Sequence, residues 1–196
     1  MRFSQSGRRE LIKWEGMYGR VYDDLKGEKE KRKGMVDCYS AQGTPTIGVG
    51  HVVYASWVNE CDKYSNHFRS GYDMTESEML ALMEQDIAIK EPYLNRLLKT
   101  KVSQKQYDAL FLMMYNTGSG NKSFRKVIDF VNKRDWKGAE DAIRGGTATA
   151  IGSDGVLTGL QRRRKAEADL FKEGSKSRID TKILLASILT SLAIVI

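Results

Sequence analysis

The spacing of apolar residues predicts that most of the chain is helical. Leu11 and Ile12 follow two serines that can cap a helix, and Gly16 is placed to end it. The capping-box pattern, a serine or threonine followed three residues later by glutamate or glutamine, occurs at 75–78 and 103–106. Apolar residues at helical spacing follow both boxes. The same spacing recurs in three later segments: 124–131, 136–143 and 160–171.

Strand patterns occur only in the first quarter of the chain. Val21 and Tyr22 form one candidate, and the run TIGV at 46–49 forms another, with glycine and proline beside it. A small sheet followed by a helical body is typical of the α+β class. We therefore predict an α+β, mainly helical fold with a small N-terminal antiparallel sheet.

Two stretches depart from these patterns. Residues 26–33 (KGEKEKRK) are densely charged, and we expect them to form a solvated loop. Residues 183–196 (ILLASILTSLAIVI) carry no charge and follow a basic stretch that includes Lys176 and Lys182. These fourteen residues would span about 21 Å as a helix, short of the roughly 30 Å core of a bilayer.

Composition narrows the candidate functions. The chain has 196 residues, enough for one domain with a real core, and a net charge of +7. That charge suits a polyanionic partner such as nucleic acid, an anionic membrane or the bacterial wall. The first residues are followed by charges rather than an apolar segment, so no secretory signal peptide is expected.

Several classes of site find no support in the sequence. Cys38 and Cys61 lie outside any CxxC pattern, so we expect no zinc site and leave open free thiols or one disulfide. The glycines at 48 and 50 lack the third glycine of a dinucleotide loop, and no GxxxxGK[ST] motif occurs. The basic residues also lack the aromatic partners of a stacking platform, so nucleic acid is not an expected partner.

Two carboxylates are the first candidates for chemistry. Glu15 shares a helix face with Leu11 and Ile12, and a carboxyl group on an apolar face is unusual. A buried carboxyl group can act as a general acid near neutral pH. Asp24 follows nine residues later, with Asp23 beside it, and two carboxylates on neighbouring elements can divide acid and base roles as glycosidases require.

Longer motifs carry a resemblance to a known family. The runs LIKWEG at 11–16, VYDD at 21–24 and TIGVGH at 46–51 resemble the phage-type lysozymes of glycoside hydrolase family 24. SQKQYDALFLMMYNTGSG at 103–120 and GLQRRRKAE at 159–167 resemble later motifs of that family. The resemblance covers about 170 residues and implies hydrolysis of the β-1,4 bond between N-acetylmuramic acid and N-acetylglucosamine, without metal or cofactor.

The resemblance also implies a lysozyme-like two-lobed fold. We expect a catalytic domain over 1–174, with a sheet lobe at about 15–73, a connecting helix at about 75–98 and a helical lobe at about 99–174. Residues 175–196 would then form a basic linker and a hydrophobic C-terminal helix or tail.

Catalytic roles follow from the resemblance residue by residue. Glu15 would protonate the glycosidic oxygen, and Asp24 would help to activate or hold the water. The family's threonine normally stands six residues after the second carboxylate, whereas Thr46 stands twenty-two after Asp24. About sixteen residues, including the charged run, are therefore inserted in the hairpin. Counting back six from Thr46 gives Ser40 as the alternative to Asp24, able only to hold water by hydrogen bonding.

Supporting and substrate-binding residues are implied in the same way. His51 would support the fold by pairing with Asp86. Tyr115 and Asn116 match the substrate-lining segment of the family, although the end of a helix with an asparagine cap would explain them equally well. Among the three consecutive arginines that begin at Arg162, we expect Arg162 to reach the site and Arg163 and Arg164 to form a solvated basic face.

Other activities remain open at this stage. A lytic transglycosylase needs the acid but no activated water, and a wall-binding module would need neither. Peptidoglycan is the expected partner in every case. A soluble endolysin for host lysis and a virion-associated lysozyme are alternative roles, placing the protein in the host periplasm or the virion.

The uncharged tail bears on that choice. Ser187, Thr190 and Ser191 share one helical face, opposite a broad apolar surface, as in helices that pack closely against a partner. If the tail were a simple membrane anchor, the basic residues that precede it would keep the enzyme on the cytoplasmic side, away from the wall. We therefore expect the tail to dock into a phage tail or host-penetration assembly, with contact to a membrane surface as the alternative.

Overall fold

The structure is a computed structural model that describes residues 1–34, 41–53, 63–64, 73–146 and 159–175. Its contacts divide the chain into two compact units. One unit is Arg8–Ile89, and the other combines Met1–Gly7 with the described residues from Lys90 onward. Ser40, Cys38, Cys61 and the tail at 183–196 lie outside the described residues.

The first unit contains a three-stranded antiparallel sheet in the order β1 (Tyr18–Asp23), β2 (Pro45–Gly48) and β3 (His51–Val52). Tyr22 lies opposite Thr46, and Ile47 lies opposite His51. Helix α1 (Gln5–Glu15) precedes the sheet. The core of this unit is an apolar cluster of Val21, Ile47, Val53 and Tyr64, against which Met74 and Leu82 pack. The expected small antiparallel sheet is therefore confirmed.

The charged run is not wholly a loop. Helix α2 (Glu28–Lys33) forms within it, between Gly27 and Gly34. Glutamate, lysine and arginine are good helix formers, and that preference outweighs the absence of an apolar face. The helix also has tyrosine rings to contact, because Lys31 Nζ lies 5.3 Å from the centre of the Tyr22 ring and the Arg32 guanidinium 5.8 Å from that of Tyr18. The expectation of a solvated loop was wrong for these six residues.

Helix α3 (Glu76–Leu97) begins at the first predicted capping box. The Glu78 backbone N–H donates to Thr75 Oγ1 at 3.3 Å, and the Thr75 N–H donates to the Glu78 carboxylate at 2.8 Å. Its buried side chains include Met79, Met83 and Ile87. The boundary between the two compact units falls within this helix, at Ile89 and Lys90.

The second unit is helical. It contains α4 (Gln104–Thr117), α5 (Lys122–Asn132), α6 (Trp136–Gly145) and α7 (159–175). The second predicted capping box opens α4, where Ser103 and Gln106 exchange hydrogen bonds. Ten consecutive residues of α4, 106–115, are buried, so this helix is the centre of the unit's core. All the helices predicted from periodicity are present.

The N-terminus of the chain belongs to this helical unit. The Phe3 ring stacks on Phe111 with centroids 4.2 Å apart. The Asp108 carboxylate accepts hydrogen bonds from the Ser4 backbone N–H at 3.0 Å and from the Ser4 hydroxyl. That hydroxyl also accepts the Gly7 N–H at 3.0 Å, so Ser4 caps α1 as its sequence position predicts. No helix among the described residues has the length and apolar character needed to cross a membrane.

Candidate active site

Glu15 is the last residue of α1 and lies against the turn between β2 and β3. The helix ends because the Gly16 N–H bonds back to the Ile12 carbonyl at 2.8 Å and the chain then leaves with a positive φ of 73°. A Cβ added to Gly50 would lie 2.8 Å from Glu15 Oε2, and the other oxygen of the carboxylate is shielded from solvent. The turn thus holds the Glu15 side chain in a confined position.

The turn needs glycine for two separate reasons. Gly48 and Gly50 have φ values of 63° and 69°, which residues with a Cβ rarely adopt. At Gly48 the added Cβ would meet only ordinary contacts, the nearest being Leu82 Cδ2 at 3.5 Å. At Gly50 it would collide with Glu15 as well. The glycine motif noted in the sequence therefore makes space for a carboxylate rather than for a phosphate.

His51 follows this turn and pairs with Asp86. Its Nδ1 lies 3.1 and 3.0 Å from the two carboxylate oxygens, and the two side chains are only 14% and 8% exposed. The contact joins the beginning of β3 to the middle of α3. The predicted pairing is confirmed, and it fixes the residue next to Gly50.

Asp24 and Thr46 both form hydrogen bonds to the backbone of Thr44. Asp24 Oδ1 accepts the Thr44 N–H at 2.6 Å, and the Thr46 hydroxyl donates to the Thr44 carbonyl at 3.0 Å. Thr46 is buried in the sheet, whereas Asp24 is exposed. The structure therefore brings these two candidate residues to the same end of the β1–β2 pair, despite the twenty-two positions between them.

Asp23 has a structural role that its sequence context did not reveal. Its carboxylate accepts backbone N–H groups from Leu25 at 3.0 Å, Gln42 at 2.8 Å and Gly43 at 3.1 Å. Burial on its own would raise the pKa of Asp23, but the three N–H donors favour the charged form, and the net effect lowers the pKa below its usual value. Asp23 closes the loop from which Asp24 projects.

The candidate substrate residues lie at the end of α4. Tyr115 is 8% exposed, and Lys90 Nζ lies 4.7 Å from the centre of its ring. Asn116 is exposed, and its Oδ1 accepts a hydrogen bond from Arg164 Nη2. The helix is capped by Gly118 rather than by Asn116. Asn116 is therefore held by an arginine instead of serving as the cap.

The expectation that Arg163 and Arg164 form a solvated basic face was wrong. Arg163 and Arg164 are 5% and 1% exposed, so they do not form a solvated basic face. Both bond the carboxylate of Glu167, which has no exposed side-chain area. Arg162, by contrast, is exposed on α7. Helical spacing could have indicated the pairing, though not its burial, because Arg163 and Arg164 stand four and three residues before Glu167.

Burial raises the pKa of Glu167. The two guanidinium groups act in the opposite direction, but the net effect is a pKa above the usual value. The cluster is buried like an apolar core position but consists of charged groups, and within the described residues the buried Arg164 Nε has no hydrogen-bond partner. Within the described residues, no group of three or more His, Cys, Asp or Glu side chains could hold a metal ion.

One unit with a small sheet and a second, helical unit, with a carboxylate ending the first helix and another beyond the first strand, are the features of a lysozyme-like protein. A crystal structure of a P22 lysozyme mutant matches the chain with a TM-score of 0.61 and 25% identity, over 87% of this chain and 98% of that one. The muramidase domain of SpmX from Asticaccaulis excentricus matches with the same TM-score at 23% identity, over 87% and 97%, and supports the fold.

Sequence comparisons agree with this class. The family model described as Phage lysozyme matches residues 12–167, and the chain belongs to that family. The endolysin of Salmonella phage P22 is 30% identical over 61% of this chain and 75% of its own length. The endolysin of Bacillus phage B103 is 26% identical over 91% of this chain and 57% of its own length. The chain is therefore a peptidoglycan-cleaving hydrolase.

The two turn glycines provide a matched test of the Glu15 position. Gly48→Ala and Gly50→Ala should each lose about 1–2 kcal/mol of stability, because both force a Cβ into the left-handed region. Only Gly50→Ala should also lose activity, on the order of a hundredfold, because it displaces Glu15. Urea unfolding and turbidity assays on bacterial walls measure the two effects. Equal activity in the two variants would mean that the turn does not position Glu15.

The lowered pKa of Asp23 predicts a pH-dependent contribution to stability. The stabilisation should be complete above the unfolded pKa of about 3.9 and disappear as the pH falls through the lower folded value. Asp23→Asn should therefore be less stable than the parent at neutral pH, with a difference that shrinks in acid. Urea midpoints between pH 2 and pH 7 measure this difference, with Asp129→Asn on the exposed face of α5 as the control. A difference independent of pH would contradict the assignment.

Proposed function

We propose that the chain hydrolyses the β-1,4 bond between N-acetylmuramic acid and N-acetylglucosamine, with Glu15 as the general acid. The observation that supports this role is the confinement of the Glu15 carboxylate against Gly50 at the end of α1. A carboxyl group held in one orientation, with one oxygen shielded from water, can be aimed at a leaving-group oxygen.

Asp24 is proposed to activate or hold the attacking water. Its Oδ1 is anchored by the Thr44 N–H, which orients the carboxylate at the edge of the loop, and its exposure leaves it accessible to water. An inverting course would require the two carboxyl groups to lie roughly 6.5–9.5 Å apart, leaving room for that water. Thr46 supports this arrangement because its hydroxyl donates to the carbonyl of Thr44, the residue whose N–H holds Asp24.

Tyr115, Asn116 and Arg162 are proposed to bind the glycan. Tyr115 provides a largely buried aromatic ring that is 8% exposed, Asn116 an exposed amide and Arg162 an exposed cation. These groups suit a sugar polymer that carries acetamido groups and carboxylates. No cofactor is required by the proposed reaction.

Substitution of the two carboxylates tests the assignment. Glu15→Gln should reduce wall lysis by at least a hundredfold without loss of stability, because the amide keeps the shape but delivers no proton. Glu10→Gln, on the same helix with its side chain 41% exposed, is the matched control and should retain activity. Asp24→Asn should also be severely impaired under the hydrolase mechanism.

Two further results separate the alternatives. If Ser40→Ala is damaging while Asp24→Asn is mild, Ser40 fills the second position. Mass spectrometry of the released muropeptides should find reducing ends, and anhydro ends would identify a lytic transglycosylase instead. Retention of lysis by Glu15→Gln would contradict the catalytic proposal, and a parent protein that binds walls without cleaving them would be a binding module.

The biological role is proposed to be degradation of the wall by a virion-associated enzyme, with residues 183–196 as the docking segment. Support comes from the uncharged composition of that segment and from the helical spacing of its serine and threonine residues in the sequence. The alternative is an endolysin that acts from within the host periplasm at release, and several relatives carry the name endolysin or SAR-endolysin.

Removal of residues 178–196 distinguishes these roles. The purified truncated enzyme should keep its activity on isolated walls, because the family match ends at residue 167. It should also be lost from assembled particles. Quantitative mass spectrometry of purified virions measures incorporation, with the full-length protein as the reference. Absence of the full-length enzyme from particles would favour the endolysin role.

A further inference from the structure

The buried cluster on α7 contacts the end of α4 at two points. Arg164 donates from Nη1 to Glu167 Oε2 and from Nη2 to Asn116 Oδ1. Arg163 donates from Nε to Glu167 Oε1 at 3.1 Å and from Nη2 to the Leu112 carbonyl at 3.4 Å. One carboxylate therefore holds both guanidinium groups that reach α4.

Both contacts act on the same residue of α4. In an α-helix the carbonyl of residue 112 accepts the N–H of residue 116, so Arg163 bonds the acceptor that also holds the Asn116 backbone. Arg164 holds the Asn116 side chain directly. The cluster thus fixes the backbone and the side chain of an otherwise exposed residue in the last turn of its helix.

The direction of the Arg164 bond decides what Asn116 can offer to a ligand. Arginine has donors only, so it must take the carbonyl oxygen of the amide. The amide nitrogen, with its two hydrogens, is then the group that Asn116 presents away from Arg164. Without the arginine the amide could rotate, and its oxygen and nitrogen would exchange places.

We propose that the Glu167–Arg164 pair is a positioning device that makes Asn116 a fixed hydrogen-bond donor to the glycan, with the acetamido carbonyl of a sugar as the acceptor. This inference rests on the proposed function, because it assumes that Asn116 contacts substrate. Glu167 and Arg164 do not touch the substrate themselves. They act by holding one orientation of the Asn116 amide.

The residue types fit this role. The planar guanidinium presents parallel donors in a fixed fork, so Arg164 can bond Glu167 and Asn116 at the same time. A lysine at this position would keep the charge near Glu167 but has a single nitrogen and no fork. A second ion pair involving α7, between its Asp169 and Arg144 of α6 at 2.8 Å, provides a comparison. It lies among partly exposed side chains and bonds neither Leu112 nor Asn116.

A double-mutant cycle tests the proposal. Arg164→Lys should raise the KM for soluble peptidoglycan glycan chains by about tenfold, the effect expected from one misplaced hydrogen bond, with kcat changed much less. Asn116→Ala should raise KM by a similar factor. In the Asn116→Ala background, Arg164→Lys should add no further increase, because the residue it positions is gone. Asp169→Asn should leave KM unchanged.

Asn116→Asp tests whether the hydrogen-bond donor of Asn116 is the group that matters. The substitution replaces the donor by a carboxylate that Arg164 can still bind, so the fold is kept while the donor is lost, and KM should rise as in Asn116→Ala. Urea unfolding of every variant separates positioning from a general loss of stability. Glu167→Gln is left out of the cycle, because it would leave two buried cations with a neutral partner and is expected to destabilise the fold.

The proposal is overturned if Arg164→Lys raises KM equally in the parent and in the Asn116→Ala background, because the effect would then not pass through Asn116. It is also overturned if Asn116→Ala and Asn116→Asp leave KM unchanged. Either result is distinct from failure of the proposed function, which would appear as retained lysis by Glu15→Gln.

Discussion

The hydrogen bond between His51 and Asp86 is the contact on which the geometry of the sheet-containing unit depends. It ties the first residue of β3 to α3, and the preceding residue, Gly50, lies against the Glu15 carboxylate. A pair outside the proposed acid and base thus helps to fix the position of Glu15, the proposed general acid. Because both side chains are largely buried, loss of either partner would leave a polar group unsatisfied, at a cost of about 1–3 kcal/mol.

The helical unit also contains a buried polar contact, but its members are charged side chains. Exposed ion pairs such as Lys137 with Asp141 contribute little, because water competes for both partners. Glu167 and its two arginines are almost completely buried, so the cluster has few alternative arrangements and its geometry is well defined. Both units therefore place a buried polar contact beside a residue with a candidate role in catalysis or binding.

Much of this could be predicted from local patterns. The helices follow from apolar periodicity and capping residues, and the His51–Asp86 pair follows from the family resemblance. Helix α2 was missed because a run of charges has no periodicity to reveal it, although its residues favour helix. The burial of Arg163 and Arg164 was missed because it depends on Glu167 and on packing against α4, which composition does not encode. The role of Asp23 depends on N–H groups from residues up to 20 positions away along the chain.

The division of the chain into units has a consequence for its biosynthesis. Phe3 and Ser4 belong to the helical unit, yet their partners Glu91 and Asp108 lie 88 and 104 residues later. At about 5–20 residues per second, a ribosome needs about 5–20 s to add the intervening segment. The residues Arg8–Ile89 form a continuous stretch that is made within this interval. Phe3 and Ser4 can therefore meet these partners only after the sheet-containing unit has been made, and the apolar Phe3 ring stays without its native cover until Phe111 is present.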